Sequence, residues 1–137
     1  MKKRLLTTWL MLLASVFAIT MMAQTVTVQV DAAGGLKDAL TAQGVELSTI
    51  KNLKVTGKMN AKDWTYIKDN LTALEELDIS GTDLKTIPDE ALSNHPTIAV
   101  IHFPSTVTSI GNSAFYNCQE LTIVDGCENV KEIGSSA

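Results

Sequence analysis

Apolar residues recur along the chain with the spacing i, i+3 and i+5. The sets are Ile50/Leu53/Val55, Leu74/Leu77/Ile79, Ile98/Ile101/Phe103 and Leu121/Val124, with Gly126 in the last place. Their offsets of 24, 24 and 23 residues indicate internal repeats. Each set predicts a short strand whose alternate side chains face a core.

The second half of each repeat shows the same period. Matching positions are Leu84/Val107/Val130, Ile87/Ile110/Ile133 and Ala91/Ala114/Ala137, with Leu92 matching Phe115 and His95 matching Cys118. Because one repeat cannot bury its own apolar face, neighbouring repeats must stack and share a core. We therefore predict an α/β solenoid over residues 48–137, with parallel strands on one face, about three and a half repeats and a truncated last one.

The first repeat carries a helix in its second half. Asn60 is the predicted N-cap, and Asp63 lies where a carboxylate favours the helix start. Trp64, Ile67 and Leu71 then fall on one helical face.

The preceding segment, residues 24–47, is predicted to be an N-terminal cap made of a strand and a helix. Val26, Val28 and Val30 alternate as in a strand. Leu36, Ala39 and Leu40 have helical spacing, and Gly44 marks the helix end. This cap would cover the otherwise exposed core of the first repeat.

The stretch "IHFPSTVTSIGNSAFYNCQELTIV" resembles the BspA-like leucine-rich repeats of bacterial surface proteins. The matching features are Pro104, Val107-x-x-Ile110-Gly111, Ala114-Phe115 and Cys118. The resemblance covers residues 48–137 and is most specific over 98–134. The earlier unit departs from the pattern with Pro88, Leu92 and His95 in place of glycine, phenylalanine and cysteine. The resemblance implies a role in surface adhesion or host-matrix binding.

Residues 1–23 have the order of a secretory signal peptide. Three cations precede an uncharged run from Leu5 to Ala23, and cleavage is predicted after Ala23. An uncleaved membrane anchor is the alternative, since the run is just long enough to span a bilayer. We expect a secreted or cell-surface protein that meets the membrane only through this peptide before cleavage.

The remaining 114 residues hold eight lysines, no arginine and fifteen carboxylates, a net charge of −7. Such a surface lacks the basic stripe that binds phosphates, which disfavours nucleic acid as a partner. The two cysteines, Cys118 and Cys127, flank a predicted strand from Leu121 to Asp125. That strand holds them too far apart for a disulfide, so both are expected as free thiols.

Gly111-Asn112-Ser113 resembles part of the Gly-x-Ser-x-Gly turn that presents a catalytic serine. The second glycine is missing, because Phe115 stands in its place. The same turn recurs 23 residues later with Ser136, which makes Ser113 a repeat position. We predict no enzymatic activity, no catalytic residue, no cofactor and no metal site.

Stacked repeats place equivalent residues in rows on the open face of the strands. One row is Lys54, Asp78, His102 and Asp125, and the other is Asn52, Glu76, Val100 and Ile123. The simplest interpretation is that the opposite charges help strand register. The second is a recognition strip for a protein or glycan, formed by Asp78, Val100, His102, Ile123 and Asp125. A third is a divalent cation held by Asp78, His102 and Asp125.

His102 lies between two carboxylates in this arrangement, so its pKa is expected to be raised. The chain ends at Ala137, one residue before the position equivalent to Phe115, and no C-terminal cap follows. We expect a piece of a longer array, with self-association through an uncapped C-terminal edge as the alternative. The predicted function is non-catalytic binding through the strand face, and the alternative is a structural spacer without a specific ligand.

Overall fold

The computed structural model describes residues 24–137, so the predicted signal peptide lies outside the described residues. The strands are β1 (Thr25–Val30), β2 (Asn52–Gly57), β3 (Glu76–Thr82), β4 (Thr86–Ile87), β5 (Val100–His102), β6 (Ser109–Ile110), β7 (Ile123–Asp125) and β8 (Glu132–Ile133). The helices are α1 (Leu36–Gln43) and α2 (Ala61–Asn70), and a short 3-10 helix covers Leu47–Thr49.

The strands form two parallel sheets. The larger sheet has the order β1-β2-β3-β5-β7 and the smaller has the order β4-β6-β8. Leu53 pairs with Leu77, Leu77 with Ile101, and Ile101 with Val124. These pairings reproduce the 24-, 24- and 23-residue offsets, so the fold is a repeat α/β fold with parallel strands and few helices.

A single apolar core lies between the two sheets and the helices. Each repeat contributes the predicted strand positions and the predicted return positions. Buried members include Leu53, Leu77, Ile101, Ile87, Ile110, Leu92 and Ala114. Trp64 and Ile67 enter the same core from α2, and Leu71 enters it from the C-cap position of that helix, on the face that the spacing predicts. Burial of aliphatic side chains at about 0.8 kcal/mol per CH₂ is the main force that holds the repeats together.

Asp63 joins the two helices at their N-termini. Its carboxylate accepts the Asn60 backbone N–H at 2.9 Å, while the Asn60 side chain accepts the Lys62 N–H at 2.9 Å. This capping box confirms Asn60 as the N-cap of α2. The same carboxylate accepts the backbone N–H groups of Gly34 at 2.7 Å and Leu36 at 3.0 Å. Asp63 therefore also caps α1, whose own N-cap residue, Gly35, has no side chain.

The segment upstream of β2 has the predicted strand and helix. β1 pairs in parallel with β2 over six residues, and Val28 and Val30 are buried. α1 buries Leu36 and Leu40 and ends at Gly44, which has φ 64°. Glycine suits this left-handed helix end because it has no Cβ to clash.

The structure differs from the sequence prediction in two places. The return segments form a second parallel sheet, which was not predicted. Its strands have two residues each, and so short a strand shows no alternation of apolar and polar residues in the sequence. The last strand of the larger sheet is Ile123–Asp125, shorter than the predicted Leu121–Asp125. Leu121 instead donates its backbone N–H to the Cys118 carbonyl in the preceding turn, which delays the strand start.

The turns that follow β4, β6 and β8 stack on one another through backbone hydrogen bonds. Glu90 donates its N–H to Asn112 at 2.9 Å, and Ser113 donates to Ser135 at 2.9 Å. Gly111 packs so closely on the preceding turn that a Cβ there would lie 2.5 Å from the backbone nitrogen of Asp89. This contact explains the glycine in the repeat pattern. Pro88 is the residue equivalent to Gly111 in the first of these turns. The repeat before that turn contains α2 and no turn of this kind.

Candidate functional site

The open face of the larger sheet carries the two predicted rows. We call Lys54, Asp78, His102 and Asp125 the central row, and Asn52, Glu76, Val100 and Ile123 the flanking row. Both rows have the predicted register, since each residue pairs with the next in its row across β2, β3, β5 and β7. The structure also extends them onto β1, where Thr27 precedes the central row and Thr25 the flanking row.

Lys54 and Asp78 form an ion pair at the start of the central row. The Lys54 Nζ lies 2.7 Å from Asp78 Oδ2. Asp78 Oδ1 accepts the backbone N–H of Ser80 at 2.9 Å and its hydroxyl at 2.6 Å. Partial burial acts to raise the pKa of Asp78, but the hydrogen bonds from Lys54 and Ser80 and the Lys54 charge outweigh it and lower that pKa. Both carboxylate oxygens of Asp78 therefore have hydrogen-bond partners within the protein.

His102 is surrounded by carboxylates from both neighbouring strands. Its Nδ1 lies 2.8 Å from each carboxylate oxygen of Asp125 on β7. Its Nε2 lies 3.3 Å from Glu76 Oε1 on β3. Partial burial acts to lower the pKa of His102, but the hydrogen bond to Asp125 and the charges of Asp125, Asp78 and Glu76 raise it overall. The direction agrees with the expectation from the sequence.

The apolar pair lies in the flanking row beside these charges. Ile123 is 51% exposed and pairs with the partly buried Val100 across β5 and β7. Glu76 is the next member of the row and reaches His102. The five predicted site residues therefore lie on three adjacent strands of one face, with apolar and acidic groups side by side.

Two contacts of this face were not predicted from the sequence. Glu76 was assigned to the flanking row and not linked to His102, because a diagonal contact depends on side-chain directions that register alone does not give. Lys51 and Glu75 form a 2.7 Å ion pair just before β2 and β3. Two opposite charges separated by the 24-residue repeat length could have predicted this ion pair. It was not predicted because Lys51 and Glu75 lie outside the two rows.

The open face has no arrangement that would hold a metal. Among residues 24–137, no group of three or more His, Cys, Asp or Glu side chains could ligate an ion, and the cation interpretation of Asp78, His102 and Asp125 rested on such a group. Cys118 and Cys127 are both unpaired in this part of the chain. Burial raises the pKa of each thiol, so neither is an activated nucleophile at neutral pH.

Ser113 lies in a turn whose backbone conformation recurs through the repeats. Its φ of 51° matches 54° at Glu90 and 56° at Ser136, the equivalent residues of the neighbouring turns. The positive φ is thus a property of the stacked turns and not of a specialised serine. The sharp turn around Ser113 gives no support to a nucleophile.

Within residues 24–137, neither helix has the length and apolar character needed to span a bilayer.

Comparison with known protein families places residues 48–137 in a repeat family. The model of the BspA type leucine-rich repeat region, described with six copies, matches residues 48–137. The matched segment contains β2 through β8 and therefore four strands of the larger sheet. No curated protein matches the chain.

Proposed function

Because the chain belongs to the BspA-type leucine-rich-repeat family, we propose that it is an exported solenoid that binds a protein or glycan partner through the open face of its larger sheet. Leucine-rich-repeat proteins are generally non-catalytic, and the BspA type is typical of secreted or surface proteins of bacteria. Adhesion to a surface or matrix component is the role that this membership suggests. The signal peptide at residues 1–23, cleaved after Ala23, is the proposed route of export.

The observation that carries the proposal is the apolar pair of exposed Ile123 and partly buried Val100 within a charged sheet face. Isoleucine at 51% exposure on a flat strand surface has no role in the core of this protein. Apolar residues rimmed by polar groups are typical of interaction sites. The central row supplies that rim through Asp78, His102 and Asp125.

The test is a binding screen with a matched pair of variants. The purified protein is presented to an array of glycans and matrix proteins, and every hit is measured again with the double variant Val100→Ser/Ile123→Ser. We expect a loss of affinity of tenfold or more, because the buried centre of an interface carries most of its energy. Ile133→Ser is the control, since Ile133 is 70% exposed but lies on the smaller sheet.

The alternative function is a self-associating or spacing array without a specific ligand. Val124 and Ile133 occupy core positions of their repeat, yet within residues 24–137 they are 39% and 70% exposed. Unpaired strand edges with apolar residues favour pairing with another chain. If the screen returns no partner and sedimentation shows association that rises with concentration, this alternative replaces the binding proposal.

A further inference from the structure

We propose that the open face binds a protein segment in which a lysine or arginine lies next to an apolar residue, and that a proton on His102 competes with that cation for Glu76 and Asp125. The inference rests on the proposed function, since it names the partner class of the same face. It adds that binding strengthens as pH rises, which the apolar pair alone would not produce.

The charges of the face are unbalanced around His102. Glu76 and Asp78 approach it from β3 and Asp125 from β7. Asp78 is already paired with Lys54 of β2. Among residues 24–137, Glu76 and Asp125 form ion pairs with His102 and with no lysine. When His102 is neutral, two carboxylates on an exposed surface therefore lack a cationic partner.

The carboxylates on both sides of the His102 ring favour a charged imidazole. Both ring nitrogens of His102 face carboxylates, with Nδ1 2.8 Å from Asp125 and Nε2 3.3 Å from Glu76. A neutral imidazole carries a hydrogen on only one nitrogen, whereas the imidazolium donates from both. Loss of the proton leaves one carboxylate facing a lone pair and free to accept a hydrogen bond from a partner.

The apolar pair lies at the right distance from these carboxylates for a lysine or arginine side chain. Val100 precedes His102 by two residues on β5, and Ile123 precedes Asp125 by two on β7. Residues two apart on a strand lie on the same face, roughly 6.6 Å apart. A long cationic side chain can cover apolar surface with its methylene groups while its charged end reaches the acidic row. An acidic partner would be repelled by the same carboxylates.

The experiment uses three blocked peptides of equal length in which valine alternates with lysine, glutamine or glutamate. Binding is measured by NMR chemical-shift changes in the protein at pH 8.5 and pH 5.5. We expect the lysine peptide to bind at least tenfold more tightly than the glutamate peptide at pH 8.5, with shifts at Val100, His102 and Ile123. Its affinity should fall about tenfold per pH unit below the pKa of His102.

Two variants make the assignment specific. His102→Gln keeps a hydrogen-bond donor but does not titrate, so it should bind the lysine peptide with little pH dependence. Glu76→Gln should weaken that binding, whereas Glu132→Gln, an exposed carboxylate on the smaller sheet, should not.

The inference is overturned if the three peptides bind equally, if none binds, if the shifts lie off the open face, or if His102→Gln retains the pH dependence. Preference for a glycan in the array, with the same loss in Val100→Ser/Ile123→Ser, would leave the proposed function standing and exclude this partner class.

Discussion

His95 shows how a single residue can differ from the repeat pattern and keep its structural role. It is buried, and its Nε2 donates to the Leu71 carbonyl at 3.0 Å. The equivalent Cys118 donates from Sγ to the Leu92 carbonyl at 3.0 Å. Both side chains thus connect a turn to the preceding repeat, at positions that the repeat pattern makes equivalent. The other ring nitrogen of His95, Nδ1, has no hydrogen-bond partner among residues 24–137.

This burial predicts that His95 destabilises the protein in acid. Burial lowers the pKa of His95, although the hydrogen bond to Leu71 acts to raise it. The unfolded chain therefore takes up a proton near pH 6.5, at a higher pH than the folded protein does, and stability falls below that pH. This loss of stability continues until the pH reaches the lower pKa of His95 in the folded protein. His95→Cys should reduce this loss, measured as the free energy of unfolding in urea at pH 7.5 and 5.

His102 serves as the comparison of opposite sign. Its pKa is raised in the fold, so its contribution is complete below pH 6.5 and is lost as pH rises through the folded pKa. His102→Gln should therefore make acid unfolding steeper or leave it unchanged. An unaltered pH profile in His95→Cys would contradict the assignment of acid sensitivity to His95.

At the scale of elements, Asp63 links α1 and α2 into one unit. Its buried carboxylate accepts three backbone N–H groups, from Gly34, Leu36 and Asn60. The first turn of a helix always has N–H groups without partners inside the helix. One side chain of α2 therefore satisfies donors of both helices, and the strand-helix segment before β2 is fixed against the first repeat.

Asp63→Ala should lower the free energy of unfolding by about 3 kcal/mol. The variant removes a helix cap worth about 1 kcal/mol and leaves buried N–H groups without acceptors. Chemical denaturation followed by circular dichroism measures the change. Asp69→Ala is the control, because Asp69 is an exposed carboxylate on the same helix and its loss should change stability by less than about 0.5 kcal/mol. Equal effects of the two variants would show that the double cap is not a source of stability.

At the scale of the whole molecule, burial within residues 24–137 decreases from the first strands of the stack to the last. The core residues Leu77 and Ile101 are fully buried, while Val124, which pairs with Ile101 on the next strand, is 39% exposed. The smaller sheet shows the same change from Ile87, at 0%, to Ile133, at 70%. Each repeat contacts its neighbours only, so stability depends on the interfaces that each repeat shares.

This gradient predicts an order of local opening. In a protein that consists of residues 24–137, the backbone amides of β2 and β3 should exchange with solvent at least tenfold more slowly than those of β7 and β8, because local openings are cheapest where few apolar contacts form. Hydrogen exchange followed by NMR or mass spectrometry measures the order. Uniform protection across all strands would mean that the repeats unfold as one unit, contrary to a nearest-neighbour stack.

Much of the fold follows from the sequence because one interaction repeats. Burial of aliphatic residues at a constant period requires strands in register, and the pairings of Leu53, Leu77, Ile101 and Val124 have that register. The α2 helix and its N-cap at Asn60 follow from local rules of capping and spacing. The same periodicity determines which residues share the two rows of the open face.

Other features were decided only in three dimensions, because they join residues through contacts that no period encodes. The carboxylate of Asp63 accepts a hydrogen bond from Leu36 of α1, 27 residues earlier in the sequence. Glu76 contacts His102 diagonally between the adjacent strands β3 and β5. The second sheet consists of strands too short to show alternation. The sequence by itself thus determined the repeat, its register and the residues of the face. The tertiary structure decided which charged residues pair and how Asp63 connects the two helices, because both depend on the positions of the charged groups at the ends of the side chains.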